Sequence, residues 1–226
     1  MGNAIGASLP LAVGIAVSPI PIIAMVLLLT SSKARANAPA YLAGWLLGLG
    51  AAGAIVLAVA GQAGASSGEG TPAAWVSWLK LALGVLLLWD AVAQFRARPR
   101  GQRQPTMPKW MATIDKTTPV MAAGVGALLS GVNPKNLLLA VGGAAAIAQT
   151  GIAGAQQAIA YLVFVLVGTL GVAAPAVIYF AMGKRSEKLL AELKNWMARN
   201  NAVILSVLCL IIAAKLIGDA ITGLAG

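Results

Sequence analysis

The chain has 226 residues, of which 59% are hydrophobic and only 10% charged, and its formal net charge is +10. So few polar residues cannot cover the outside of a soluble core, so the composition excludes an ordinary soluble domain and favours a single membrane domain over residues 1–226. The basic residues lie in loops between apolar segments, where membrane topology explains them, so we expect no nucleic-acid partner.

Six apolar segments reach the length of about 20 residues that a helix needs to cross a bilayer. The N-terminus has no basic region before its apolar run, so we expect no cleavable signal peptide and take this run as the first span. The third segment carries Lys80 near its start and Asp90 near its end. The predicted spans are residues 4–30, 38–60, 75–95, 119–148, 155–182 and 202–222.

Loop charges predict the orientation of these spans. Thirteen of the 16 Lys and Arg residues follow the first, third and fifth spans, whereas loops 61–74 and 149–154 contain none. The positive-inside rule then places the basic loops in the cytoplasm and both termini outside, in a plasma (inner) membrane. Loop 96–118 is basic and proline-rich, so we expect a cytoplasmic linker that also contacts anionic headgroups.

Residues 184–199 are predicted to form a short amphipathic helix that lies in the cytoplasmic interface, with a soluble linker helix as the alternative. Its apolar face consists of Leu189, Leu190, Leu193, Trp196 and Met197.

The two halves of the chain, residues 1–95 and 119–226, resemble each other. Ser18-Pro19-Ile20-Pro21 interrupts the first span, and Asn133-Pro134-Lys135-Asn136 interrupts the fourth. Residues 81–93 also align with residues 210–222, which matches Asp90 with Asp219. Since a three-span unit reverses its orientation when repeated, the sequence predicts an all-α polytopic fold of six transmembrane helices in two inverted three-helix repeats.

Both proline motifs have the form of a helix start. Proline lacks a backbone donor and is favoured at the first helical position after a capping Ser or Asn. We therefore expect helices 1 and 4 to be broken at Pro19 and Pro134, with Pro21 widening the first kink. Each second half-helix would begin near the bilayer centre and present free N–H groups and a partial positive charge, which suit an anionic ligand.

Lys135 is the charged residue nearest the middle of a clean span, where a lysine costs about 3 kcal/mol on insertion scales. It is interpreted as a cation that faces a central cavity and binds an anionic headgroup or carboxylate. The alternative is a structural lysine held by carbonyl groups or an acid. Ser18, Asn133 and Asn136 are further candidate substrate-binding residues, with helix capping as the alternative for the two asparagines.

Asp90 and Asp219 are candidate coupling residues, with simple hydration near the span ends as the alternative. Lys215 and Asp219 are four residues apart, so pairing with each other is a further interpretation. Gly44-x-x-x-Gly48 is a small-residue motif that predicts either packing within the chain or a homodimer.

Together these motifs resemble the LysE superfamily of small six-span exporters. Residues 18–21 are similar to its proline pair, and residues 131–136 to its Asn-Pro-Lys motif. Within the superfamily the chain most resembles the actinobacterial GAP branch, the peptidoglycolipid- or sulfolipid-addressing proteins, through residues 18–22, 44–48 and 133–140. The resemblance implies export of cell-envelope glycolipids, or assistance to that export.

Missing residue types argue against several functions. The chain has no His and one Cys, Cys209, which disfavours metal export and thiol exchange. The chain has no Gly-x-x-x-x-Gly-Lys-Ser/Thr motif, so we do not expect ATP-driven work. Without His or an acid–base pair at membrane depth, we expect no enzymatic activity, and we expect no metal or cofactor.

The principal hypothesis is a transporter of cell-envelope lipids or glycolipids with an anionic headgroup. The alternatives are an exporter of small, amino-acid-like solutes and a non-transporting scaffold for lipid-synthesis or export machinery. A lateral slot favours the first, a closed aqueous pocket the second and a filled core the third. The predicted site is almost without acids, which disfavours a cationic substrate.

Overall fold

The structure is a computed structural model that describes residues 1–62, 66–67, 71–72, 74–97 and 116–225. Most of the predicted linker at 96–118 therefore lies outside the described residues. Apart from turns and short loops, the described chain is helical, with one two-residue antiparallel pairing of β1 (Ser66–Ser67) with β2 (Thr71–Pro72). The helices are α1 (Gly2–Ala16), α2 (Pro19–Leu29), α3 (Ala34–Gln62), α4 (Ala74–Ala97), α5 (Pro119–Ala127), α6 (Pro134–Ala148), α7 (Gly154–Met182) and α8 (Ser186–Ala225), with a π-helical turn at Leu128–Val132 and a 3-10 turn at Gly183–Arg185.

Several of these helices fit a membrane protein, as the composition predicted. In the described chain, α3, α4, α7 and α8 are each long and apolar enough to cross a bilayer. A fifth candidate is the pair α1 and α2, which are bent by 50° at their break. The helical stretch Pro119–Val132 and α6 are apolar but individually shorter, so the count of six spans stays a prediction.

The last helix differs from the prediction. Residues 184–199 do not form a separate interfacial helix, because α8 runs unbroken for 40 residues from Ser186 through the last apolar segment. The physical reason is local, since no Pro or Gly occurs between residues 186 and 217 to end the helix. Leu190 and Met197 of the predicted apolar face pack into the core, whereas Leu189 and Trp196 are exposed.

Helix α3 packs closely along α5. Gly44 faces the backbone carbonyl of Ala123, and Gly48 faces the carbonyl of Ala127, so a Cβ at either position would overlap a main-chain oxygen. The Gly44-x-x-x-Gly48 motif therefore packs within the chain, which is the first of its two interpretations.

Two buried tyrosines donate hydrogen bonds to main-chain oxygens of neighbouring helices. Tyr41 of α3 is fully buried and donates from its hydroxyl to the carbonyl of Pro21, at 3.1 Å. Tyr161 of α7 donates to the carbonyl of Leu49, at 2.9 Å. The Tyr41 bond supplies a partner for a main-chain oxygen in the first turn of α2, so the start of that helix is held in place by α3.

Candidate functional site

The two helix starts predicted at the proline motifs meet at one pocket. New helices begin at Pro19 and at Pro134, as expected from the sequence. Residues 18–21 and 133–136 line a shared cavity of about 420 Å³. Its remaining walls come mainly from α4, between Leu86 and Gln94, and from Leu205 of α8.

The two starts are capped differently. Asn133 occupies the cap position of α6, and its Oδ1 accepts a hydrogen bond from the backbone N–H of Lys135 at 3.2 Å. Ser18 occupies the same position before α2, but its side chain makes no capping bond, so the predicted serine cap is wrong. Its hydroxyl instead contacts Asn136 Oδ1 and Lys135 Nζ in the second half of the chain.

Ser18 and Asn136 connect the two breaks directly. The Ser18 hydroxyl lies 2.9 Å from Asn136 Oδ1 and 3.3 Å from the Gly14 carbonyl, and its single proton favours the shorter contact. Asn136 Nδ2 donates in turn to the carbonyl of Leu129 at 2.8 Å, in the π-helical turn before the second break. Both ends of the Asn136 amide therefore have protein partners, and the residue holds the two interrupted helices against each other.

Lys135 reaches from the start of α6 across to the end of α1. Its Nζ donates to the carbonyl of Gly14 at 2.9 Å and to the Ser18 hydroxyl at 2.7 Å. The Gly14 carbonyl belongs to the last turn of α1, where main-chain oxygens lack helical partners and carry partial negative charge. Within the described chain, no carboxylate oxygen lies within 4 Å of Lys135 Nζ. Both partners of the ammonium are thus neutral.

The prolines limit what the first helix start can offer a ligand. Pro19 and Pro21 have no N–H group, so the first three positions of α2 retain only the donor of Ile20. The start of α6 has lost the donor of Pro134, and Asn133 accepts that of Lys135. The expected cluster of free N–H groups is therefore small, and Lys135 supplies most of the positive charge at the junction.

The two candidate acids lie in different surroundings. Asp90 of α4 lines the pocket and accepts hydrogen bonds from Gln94 Nε2 and Cys209 Sγ, both at 3.4 Å. Asp90 is the one acidic residue among the described residues that line this pocket. Asp219 does not line the pocket and instead contacts Lys215 at 2.6 Å, so the expected pair within α8 is present.

Sequence reasoning missed three residues of these networks. Gln94 lies one helical turn after Asp90, a spacing that predicts a contact on one helix face. Cys209 contacts Asp90, and Lys80 contacts Asp219, both across the α4–α8 interface. No local sequence pattern predicts a contact between two different helices. Across the residues that the structure describes, no three His, Cys, Asp or Glu side chains come together to hold a metal ion. The arrangement is suited to holding an anion beside Lys135.

A protein-family model described as Sap, sulfolipid-1-addressing protein, matches residues 9–222. Searches of curated proteins and of solved structures gave no match. The matched region covers nearly the whole chain and includes every pocket-lining residue. The chain therefore belongs to the Sap, sulfolipid-1-addressing protein family.

Proposed function

We propose that this protein is a membrane transporter of cell-envelope lipids with an anionic headgroup, and that the headgroup binds at Lys135. The observation that carries the proposal is a lysine ammonium that lines a pocket at the junction of two broken helices, and whose hydrogen-bond partners within the described residues are both neutral. The family description supports the substrate class, because a sulfolipid carries an anionic sulfur-containing group.

The ammonium retains capacity for a ligand. A lysine has three N–H donors, and the Gly14 carbonyl and the Ser18 hydroxyl take two of them. The third donor is available to an oxygen of a sulfate, phosphate or carboxylate. Because the surrounding helices exclude much of the water, such a charge-assisted bond would be stronger than at an exposed surface.

The walls of the pocket favour a lipid. A cavity of about 420 Å³ holds a headgroup but not the acyl chains of a whole lipid. Leu86 and Trp89 line this cavity and are also 45% and 72% exposed on the outer face of α4. In a membrane this face meets acyl chains, so chains can pass beside Trp89 while the headgroup stays at Lys135. A non-transporting scaffold is expected to have a filled core, so the presence of this cavity argues against that alternative.

One observation favours a second candidate, an exporter of amino-acid-like solutes. Asp90 and Lys135 line the same pocket, so a zwitterion can place its carboxylate at Lys135 and its ammonium at Asp90. For a lipid substrate, Asp90 is instead the acid through which transport is coupled to an ion. We do not propose Asp219 as a coupling residue, because it lies outside the pocket and is already paired with Lys215.

We further propose the six-span, inverted-repeat architecture of the LysE superfamily, with the basic loops in the cytoplasm, both termini outside the plasma membrane and no enzymatic activity. Two glycine contacts support the inverted repeat. In the first half, Gly44 of α3 packs on the carbonyl of Ala123 in α5 of the second half. In the second half, Gly171 of α7 packs on the carbonyl of Ala16 in α1 of the first half. This exchange of partners is what a two-fold relation between the halves produces.

Reconstituted vesicles test the function. Purified protein is placed in phosphatidylcholine vesicles that contain either a fluorescent lipid with an anionic headgroup or one with a neutral glycosyl headgroup, and transfer between leaflets is followed by chemical quenching from outside. We expect transfer of the anionic lipid, loss of transfer in Lys135→Met, and normal transfer in Lys188→Met, which removes an exposed lysine of α8. Efflux of labelled amino acids without lipid transfer would instead establish the second candidate.

A further inference from the structure

A second charge cluster, formed by Lys80, Lys215 and Asp219, lies at the other end of the α4–α8 pair from Asp90. We call it the distal cluster. Asp219 Oδ2 lies 2.6 Å from Lys215 Nζ and 3.8 Å from Lys80 Nζ. The Lys80 side chain is only 5% exposed, against 27% for Lys215. A lysine so deeply buried is costly unless it is compensated, and its only carboxylate partner in the described chain is shared.

Helices α4 and α8 run antiparallel and differ at their two ends. At one end, Asp90 contacts Cys209 and the helices border the pocket. At the other end they are closed, because a Cβ built on Gly223 would lie 3.5 Å from the Cβ of Ser77. Lys80 and Asp90 are ten residues apart, which corresponds to about 15 Å along α4. The pocket therefore borders one end of the α4–α8 pair, and at the other end, beside the distal cluster, the two helices pack directly against each other.

We propose that the distal cluster is a closed gate of the transport path, at the end of the α4–α8 pair away from the pocket. The inference rests on the proposed transport function. The repeat alignment matches Asp219 with Asp90, so exchange between the two halves would open the distal end and close the pocket end. Salt bridges that join packed helices are the kind of contact that breaks and re-forms between two discrete arrangements.

The charge balance of the cluster links the gate to an anionic substrate. Two lysines share one carboxylate, so the cluster carries an excess positive charge. An anionic headgroup that leaves Lys135 and moves along α4 would replace Asp219 as the partner of Lys80. The substrate would thereby loosen the contact that keeps the distal end shut, whereas a neutral lipid would leave it closed.

A disulfide across the distal end tests the gate. The distance of 3.5 Å between the Cβ of Ser77 and a Cβ placed on residue 223 falls in the range of a disulfide. The chain contains only Cys209, so Ser77→Cys and Gly223→Cys can be introduced together in a Cys209→Ser background. We expect transport to be lost on oxidation and restored by reductant, with each single variant unaffected by oxidant. Full transport by the cross-linked protein would overturn the gate.

A labelling experiment separates failure of the gate from failure of the transport function. Ala93→Cys places one thiol on the pocket wall, again in the Cys209→Ser background. A membrane-impermeant maleimide should label it from one face of the membrane only, and from both faces once Asp219→Asn is added. One-sided labelling in both proteins would refute the gate even if lipid transfer is observed. If the Asp219 variant does not fold, the disulfide result decides alone, because it removes no charge.

Discussion

Replacing Lys135 by Met separates a ligand-binding lysine from a structural one. The substitution keeps the length of the side chain and removes the ammonium, together with its bonds to Gly14 and Ser18. At about 1.5–3 kcal/mol each, the two charge-assisted hydrogen bonds are worth about 3–6 kcal/mol. Removal of a lysine from the middle of a span regains about 3 kcal/mol. The second term offsets half or more of the first, so the free energy of unfolding should fall by no more than about 3 kcal/mol.

The same substitution should also weaken binding of the substrate. A ligand anion that loses one charge-assisted bond loses about 1.5–3 kcal/mol of binding, which is about a 10- to 100-fold weaker affinity. Thermal unfolding in detergent measures the first quantity, and lipid transfer in vesicles at several lipid concentrations measures the second. Lys188→Met is the control for both. If Lys135→Met unfolds readily while its folded fraction transports normally, Lys135 is a structural tie and the reasoning fails.

Three further changes test the elements around the junction. Pro19→Ala and Pro134→Ala should each reduce lipid transfer, because alanine lets the helix continue through the break; wild-type transfer in both would show that transport does not need the broken helices. Gly44→Leu should lower stability in thermal unfolding by about 2 kcal/mol or more, because the side chain collides with the α5 backbone, and an unchanged melting temperature would contradict this packing. Asp90→Asn should leave binding of an anionic lipid intact and abolish any acceleration of transfer by an imposed pH difference; unchanged acceleration would exclude Asp90 as the coupling acid.

The helix starts were accessible to sequence reasoning because their signals are local. Ser-Pro and Asn-Pro fix a first helical turn within a few residues, and the structure begins α2 and α6 at those prolines. The unbroken course of α8 was also readable, since residues 186–217 lack Pro and Gly. The amphipathic pattern of residues 184–199 nevertheless favours a separate interfacial helix. In the structure this pattern instead packs Leu190 and Met197 into the core.

The partners of the charged residues were not accessible in the same way. Lys135 was expected at a cavity, but its contacts with Gly14 and Ser18 join segments 121 and 117 residues apart. The contact between Lys80 and Asp219 depends on the register of α4 against α8, which a single sequence does not specify. Helix periodicity gives the face on which a residue lies, whereas these contacts depend on which helices become neighbours.

Binding measured by native mass spectrometry addresses the role of Lys135 most directly. Purified wild-type protein and Lys135→Met are each mixed with equal amounts of a sulfated glycolipid and its desulfated counterpart, and the lipid retained on each protein is identified. We predict that the wild-type protein retains the sulfated form preferentially and that the variant shows no preference. Equal retention of both lipids by the wild-type protein, or an undiminished preference in the variant, would contradict a headgroup site at Lys135.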